Sequence, residues 1–171
     1  MDTFIEYIVK KKKTAKDYLT MAAIITGVLL LAVLCLLFNS LLFGIPFILF
    51  VFCCWGAYML ITSSNVEFEY ILTNSELDID KIIARRARKR ILTVNFREIE
   101  ICAKPDDPSF KHIYDNTAGI SRIERLHGDI NSGNVYFVDF SRDSEKVRVL
   151  FEPNERILNE IKKINPRRVN I

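Results

Sequence analysis

The densest run of side chains able to engage a ligand is Arg85-Arg86-Ala87-Arg88-Lys89-Arg90, five cations in six residues. Guanidinium groups match phosphate and carboxylate oxygens with paired donors, so the run is a candidate contact for lipid headgroups, an acidic partner or RNA. It also has a structural reading. Charge on an edge strand prevents edge-to-edge association, and Asp78, Asp80, Glu98 and Glu100 on neighbouring strands are placed to neutralise it. The solvated or internally paired reading takes precedence. A second basic run, Lys10-Lys11-Lys12-Lys13, stands just before the apolar part of the chain and is a candidate contact for anionic lipid.

The remaining reactive residue types form no set. His112 and His127 are the only histidines, both near expected loops and without a nucleophile motif, which reads as surface histidine. Asp106 and Asp107 stand beside prolines as turn formers, with no calcium-loop spacing after them. The six glycines never fall in a phosphate-cradling series. Cys35, Cys53, Cys54 and Cys102 show no disulfide or zinc spacing and read as small apolar residues. No catalytic, cofactor or metal site is expected, and the chain is read as a non-enzyme. Residues 65–171 carry 19 Lys and Arg against 18 Asp and Glu, so the chain's net charge of +3 comes mostly from the lysine cluster; no nucleic-acid partner is expected.

The elements that must position these groups begin with 49 residues, Tyr18 to Val66, that contain no Asp, Glu, Lys, Arg or His. A helical span needs about 20 apolar residues, so this run predicts a transmembrane helical hairpin over 18–64, with spans at about 19–38 and 41–61 and a turn near Asn39 to Ile45. Pro46 suits the first turn of the second helix, where its missing N–H costs nothing. Ala23 with Gly27, and Cys53 with Ala57, offer small-residue spacing for helix contact, and Trp55 and Tyr58 suit the inner interface. Lysines before the run, cations after it and none in the turn predict two spans with both termini cytoplasmic. No Ala-x-Ala-like cleavage site follows the first apolar segment, which reads as an uncleaved anchor. The absence of ionisable residues at membrane depth favours an anchor over an ion pathway.

Residues 1–17 form a basic amphipathic segment. Thr3 with Glu6 has capping-box spacing and Phe4, Ile5, Ile8 and Val9 share a helical face, which reads either as a short helix in the headgroup layer or as a solvated start. After Ser64 the hydrophobic period changes to two. Strands are expected at 66–72, 77–82, 88–95, 99–104, 121–126, 135–140 and 146–151, with turn chemistry at Thr73-Asn74-Ser75, Asn131-Ser132-Gly133-Asn134 and Arg142-Asp143-Ser144. Segment 109–120 is weakly patterned. Ile157, Leu158, Ile161 and Ile164 mark an amphipathic helix over 153–165. The fold class is therefore α+β: a two-helix transmembrane hairpin, then a small antiparallel barrel of about seven strands at 65–171, capped by a C-terminal helix.

The strand-turn-strand Phe68-Glu69-Tyr70-Ile71-Leu72-Thr73-Asn74-Ser75-Glu76-Leu77, placed directly after the spans, resembles the membrane-anchored bacterial pleckstrin-homology-like (PH-like) domains. So do the basic hairpin Arg85–Arg90 and the strand Ile99-Glu100-Ile101. The closing Phe151-Glu152-Pro153-Asn154 with its helix, and Pro166-Arg167-Arg168-Val169, is similar to an uncharacterised family of small two-span proteins from Gram-positive bacteria. Ala84 stands near the position where those domains commonly carry glycine. The resemblance implies a PH-like barrel at a bacterial cell membrane and no particular activity. Taken with the residues, it leads to a cytoplasm-facing interaction or scaffold module. The alternatives are an anionic-lipid sensor acting through Lys10–Lys13 and Arg85, Arg86, Arg88, Lys89 and Arg90, or an accessory subunit of a larger membrane complex. The expected partners are the bilayer, anionic headgroups or another membrane protein.

Overall fold

The computed structural model describes residues 3–38, 45–142 and 145–171. Residues 39–44 of the turn expected near Asn39 to Ile45, and residues 143–144 of the turn expected at Arg142-Asp143-Ser144, lie outside these residues. The chain divides into two units, one of residues up to Lys11 with Glu67–Ile82 and Ala87–Ile171, the other of Lys12–Val66 with Ile83–Arg86.

The second unit holds two helices, α1 (Ala15–Phe38) and α2 (Ile45–Ser63), each long and apolar enough to cross a membrane. At 1.5 Å per residue they extend about 36 and 28 Å, against roughly 30 Å of bilayer hydrocarbon. α1 starts on a reciprocal cap: Thr14 N–H and Oγ1 each donate to Asp17 Oδ2 at 2.8 Å. The hydroxyls of Thr20, Thr26, Thr62 and Ser63 donate to carbonyls one turn back, so none is left unpaired in an apolar setting. Pro46 falls in the first turn of α2, as its chemistry requires, and its carbonyl lies 3.3 Å from Cys35 Sγ. A Cβ added at Gly27 would meet nothing within 4 Å, so the helices do not approach through that glycine.

The first unit is built from two four-stranded sheets. In one, β1 (Phe4–Lys10), β2 (Val66–Thr73), β3 (Glu76–Ile83) and β4 (Ala87–Asn95) lie in sequence order. In the other the order is β5 (Ile101–Ala103), β7 (Tyr136–Arg142), β8 (Glu145–Phe151), β6 (Arg122–Leu126), with β6 parallel to β8. Strands β2 to β8 match the seven expected from the alternating pattern, and the barrel they form is not closed.

The N-terminal segment is a strand, which corrects the helical reading. β1 pairs antiparallel with β2 from Phe4↔Thr73 to Lys10↔Glu67, and Tyr7 stacks on Tyr70 with ring centroids 6.2 Å apart. The physical reason is that Ile5, Tyr7 and Val9 also satisfy a period of two, and a seven-residue helix is far too short to hold itself. The apolar helices are therefore inserted between two paired strands of one domain, with residues 11–14 and 64–65 as connections.

Tyr70, Phe96 and Phe151 bring the two sheets together, Tyr70 meeting Phe151 edge-on at 6.1 Å. Tyr70 is fully buried; its hydroxyl donates to the Leu126 carbonyl at 2.5 Å and accepts from Glu152 N–H at 3.1 Å, and burial pushes the phenol up. The capping helix α4 (Glu155–Ile164) starts where Asn154 accepts from Ile157 N–H, and buries Ile157, Leu158 and Ile161. Each buried side chain contributes about 1.5–3 kcal/mol. After α4 the chain runs beside β5, Cys102 N–H donating to Arg168 O and Asn170 N–H to Cys102 O.

The weakly patterned segment carries α3 (Lys111–Asp115), which covers the outer face of the second sheet. Phe110, Ile113 and Tyr114 pack there on Ala103, Val135, Phe137 and Leu150. This cover explains why β7 is buried on both faces from Tyr136 to Phe140.

Candidate functional site

The basic run forms the turn and first half of the β3–β4 hairpin. Arg86 N–H donates to Ile83 O at 3.0 Å, and the two residues between, Ala84 and Arg85, stand at φ 54° and 56°. Two positive φ angles define the tight turn whose twist matches paired strands, here made without glycine or asparagine.

Beyond the turn the two arginines are matched. Arg88 pairs with Glu69, and Arg90 pairs with Asp78 at 3.0 Å and Asp80 at 3.1 Å. Thr93 Oγ1 adds a bond to Asp78. Arg86, in the helical unit, donates to Tyr58 OH at 3.1 Å, with its guanidinium carbon 5.4 Å from that ring's centroid. Lys89 is exposed. The expectation that Asp78 and Asp80 neutralise the run therefore holds, whereas Glu98 and Glu100 are engaged elsewhere. Glu98 accepts from Asn95 and Glu100 pairs with Lys146 at 2.5 Å, which with Ser141 holds the Glu100 carboxyl below its ordinary range.

Glu69 escaped the sequence reading because its place in an alternating strand marks it as solvent-facing. It is fully buried, with Oε2 lacking a donor. Burial first, then the neighbouring Glu6 carboxyl, hold it above the usual carboxylate range against the opposing pull of Arg88. Glu6 and Glu69 are diagonal neighbours on one face, since Glu6 opposes Ile71 and Ile8 opposes Glu69.

The lysine run is divided between the units: Lys10 ends β1 opposite Glu67, Lys11 and Lys12 are exposed, and Lys13 Nζ lies 4.0 Å from Met21 Sδ.

A second charged centre sits on the outer face of the other sheet. Arg148 on β8 opposes Asp139 on β7 and binds both carboxylate oxygens at 2.7 Å, each side chain 2% exposed. The guanidinium also donates to the carbonyls of Ile113 and Tyr114 and lies over the Phe137 and Tyr114 rings. One Arg thus satisfies the end of α3 and fixes it to the sheet. The legible signal was a single charge inside each of two apolar runs, Asp139 in Tyr136–Phe140 and Arg148 in Val147–Phe151. Cavities of about 230 and 140 Å³ flank this pair, the larger floored by Ile123, Arg125 and Leu150, the smaller edged by His112 and Lys146.

His112 is exposed, as read from sequence; His127 is half-buried. Both its ring nitrogens are buried without partners, and burial lowers its proton affinity. Next to it Gly128 and Asp129 N–H donate to Glu152 Oε2. Among the described residues no group of three or more His, Cys, Asp or Glu side chains is placed to hold a metal ion. Cys102 is fully buried and its thiol is pushed up by that burial.

Two four-stranded sheets joined through Tyr70 and closed by a C-terminal helix define a PH-like domain, here interrupted by two apolar helices. The chain belongs to the family described as Bacterial PH-like domain (DUF6106), whose profile matches residues 1–171. No curated protein and no solved structure matches it.

Proposed function

We propose that the chain is a membrane-anchored interaction or scaffold module, non-enzymatic like PH-like domains generally, that spans the bacterial cell membrane twice and turns its β domain and both termini to the cytoplasm. The observation that carries this reading is the pairing of β1 with β2 around the inserted helices. Strands that pair must lie on one side of a bilayer, so the chain crosses an even number of times. The lysines at 10–13 then favour the cytoplasmic side. Tethering raises the local concentration of the domain near membrane proteins, which makes weak contacts effective. Protease added outside intact cells should leave the β domain whole, and purification in mild detergent should retain a stoichiometric partner, either another membrane protein or a larger complex. Cleavage of the domain from outside removes the topology, and a chain that purifies alone after cross-linking in cells removes the scaffold role.

One observation favours a lipid-contacting second reading. Arg86 rests on Tyr58 near the end of α2, where interfacial aromatics sit, so Arg85 and Arg86 are the cations of the run best placed for headgroups. Arg88 and Arg90 are engaged by carboxylates, which argues against the whole run acting in this way. Native mass spectrometry should find less retained anionic lipid in Arg85→Gln/Arg86→Gln; equal retention excludes this reading.

A further inference from the structure

The free edges of the two sheets differ in chemistry. The outer edge of β5 is covered by the C-terminal segment at Arg168–Asn170. β4 and β6 are edges studded with charge, Arg88-Lys89-Arg90 and Arg122 with Glu124 and Arg125, the usual protection against strand addition. β1 is also an edge, and it mixes one carboxylate with large apolar side chains: around Glu6, Phe4 is 65% exposed and Ile8 44%. Thr3 exchanges bonds with Asn74 of the adjoining turn. By the alternation of an antiparallel pair, Thr3, Ile5, Tyr7 and Val9 face β2, while Phe4, Glu6 and Ile8 turn their N–H and C=O groups outward. At the far end Gly128 closes the edge, since even a Cβ there would lie 2.5 Å from Val9 Cγ1 and 2.6 Å from the Lys10 carbonyl. The open stretch is Phe4 to Ile8.

On that stretch two exposed apolar side chains flank Glu6, and diagonal to Glu6 on β2 stands Glu69 with one buried oxygen unmatched. We propose that the β1 edge is a strand-addition site for an extended protein segment with a basic residue at its centre and apolar residues two positions to either side. The added strand would place its cation opposite Glu6 and its apolar side chains opposite Phe4 and Ile8. This deepens the interaction-module reading and rests on it.

The test uses the full chain in uncharged detergent micelles and the labelled peptide acetyl-Thr-Val-Thr-Lys-Thr-Val-Thr-amide, followed by fluorescence anisotropy against empty micelles. Residues opposite Phe4, Glu6 and Ile8 supply the amides that bond to β1. N-methylation of the Val and Lys nitrogens should therefore weaken binding by about tenfold or more, and N-methylation of two inner Thr nitrogens should not. Glu6→Lys, an exposed substitution, should bind the Lys peptide at least about tenfold more weakly and regain affinity for the peptide carrying Glu at its centre. Equal binding of the two methylated peptides, or no effect of charge exchange, overturns the proposal. Photo-cross-linking in cells from position 4 separates it from the broader reading: a partner captured at β1 supports both, whereas one captured only from other surfaces leaves the module and removes this site.

Discussion

At the residue scale the decisive side chains are charged groups away from water. Arg148 and Asp139 are held by bidentate bonds inside an apolar layer, so removing one leaves the other buried and uncompensated. Arg148→Ala should cost about 3–5 kcal/mol, while Arg148→Met with Asp139→Leu should cost much less, both read by denaturant unfolding in detergent. Similar losses in the single and double variants would show that the carbonyls of Ile113 and Tyr114, not the ion pair, dominate. Glu69 works in the other direction. Its carboxyl is raised from the ordinary 4.5, so its contribution to stability is full below that value and is lost as pH rises through the raised one. Glu69→Gln should therefore melt higher than the parent at pH 7, with the gap closing toward pH 4. A gap that ignores pH would mean that Glu69 does not titrate in this range. Pairing of the basic run with Asp78 and Asp80 was legible because alternation puts those residues near it; Glu69 was not, because burial of one strand face depends on what distant strands lay over it.

At the element scale, local pattern located β2 to β8 and α4 to within two residues, and misread the start of the chain. The spacing Thr3-x-x-Glu6 looks like a helix cap, yet the cap that forms is Thr14-x-x-Asp17 at the head of α1. Both satisfy the same rule, and their surroundings decide: 24 helical residues after Thr14, and an unpaired edge of β2 available to Phe4–Lys10. The β3–β4 turn stores a cost, since left-handed backbone disfavours residues with a Cβ by about 1–2 kcal/mol each. Ala84→Gly should raise stability by about 1 kcal/mol after glycine's greater unfolded-state entropy is subtracted. An unchanged or lowered melting temperature would argue against this turn conformation.

At the scale of the whole molecule, the domain is assembled from both sides of the inserted helices. Residues 65–171 alone lack β1, so β2 loses its partner strand and Tyr70 its stacked ring. Joining residues 3–11 to 66–171 through a short turn should yield a water-soluble domain more stable than 65–171 by at least about 2 kcal/mol, the worth of burying Val9 and part of Tyr7. Circular dichroism melts of the two chains decide it, and equal midpoints would make β1 a dispensable edge. The amino-acid sequence by itself determined the two apolar helices, the seven strands after them and the terminal helix, because hydropathy and periodicity are read over neighbouring residues. Only the tertiary structure decided that Phe4 meets Thr73, that Arg88 meets Glu69 and that Arg148 anchors α3. Those contacts join residues far apart in the chain, and their free energy comes from burial that exists only once the sheets have closed over them.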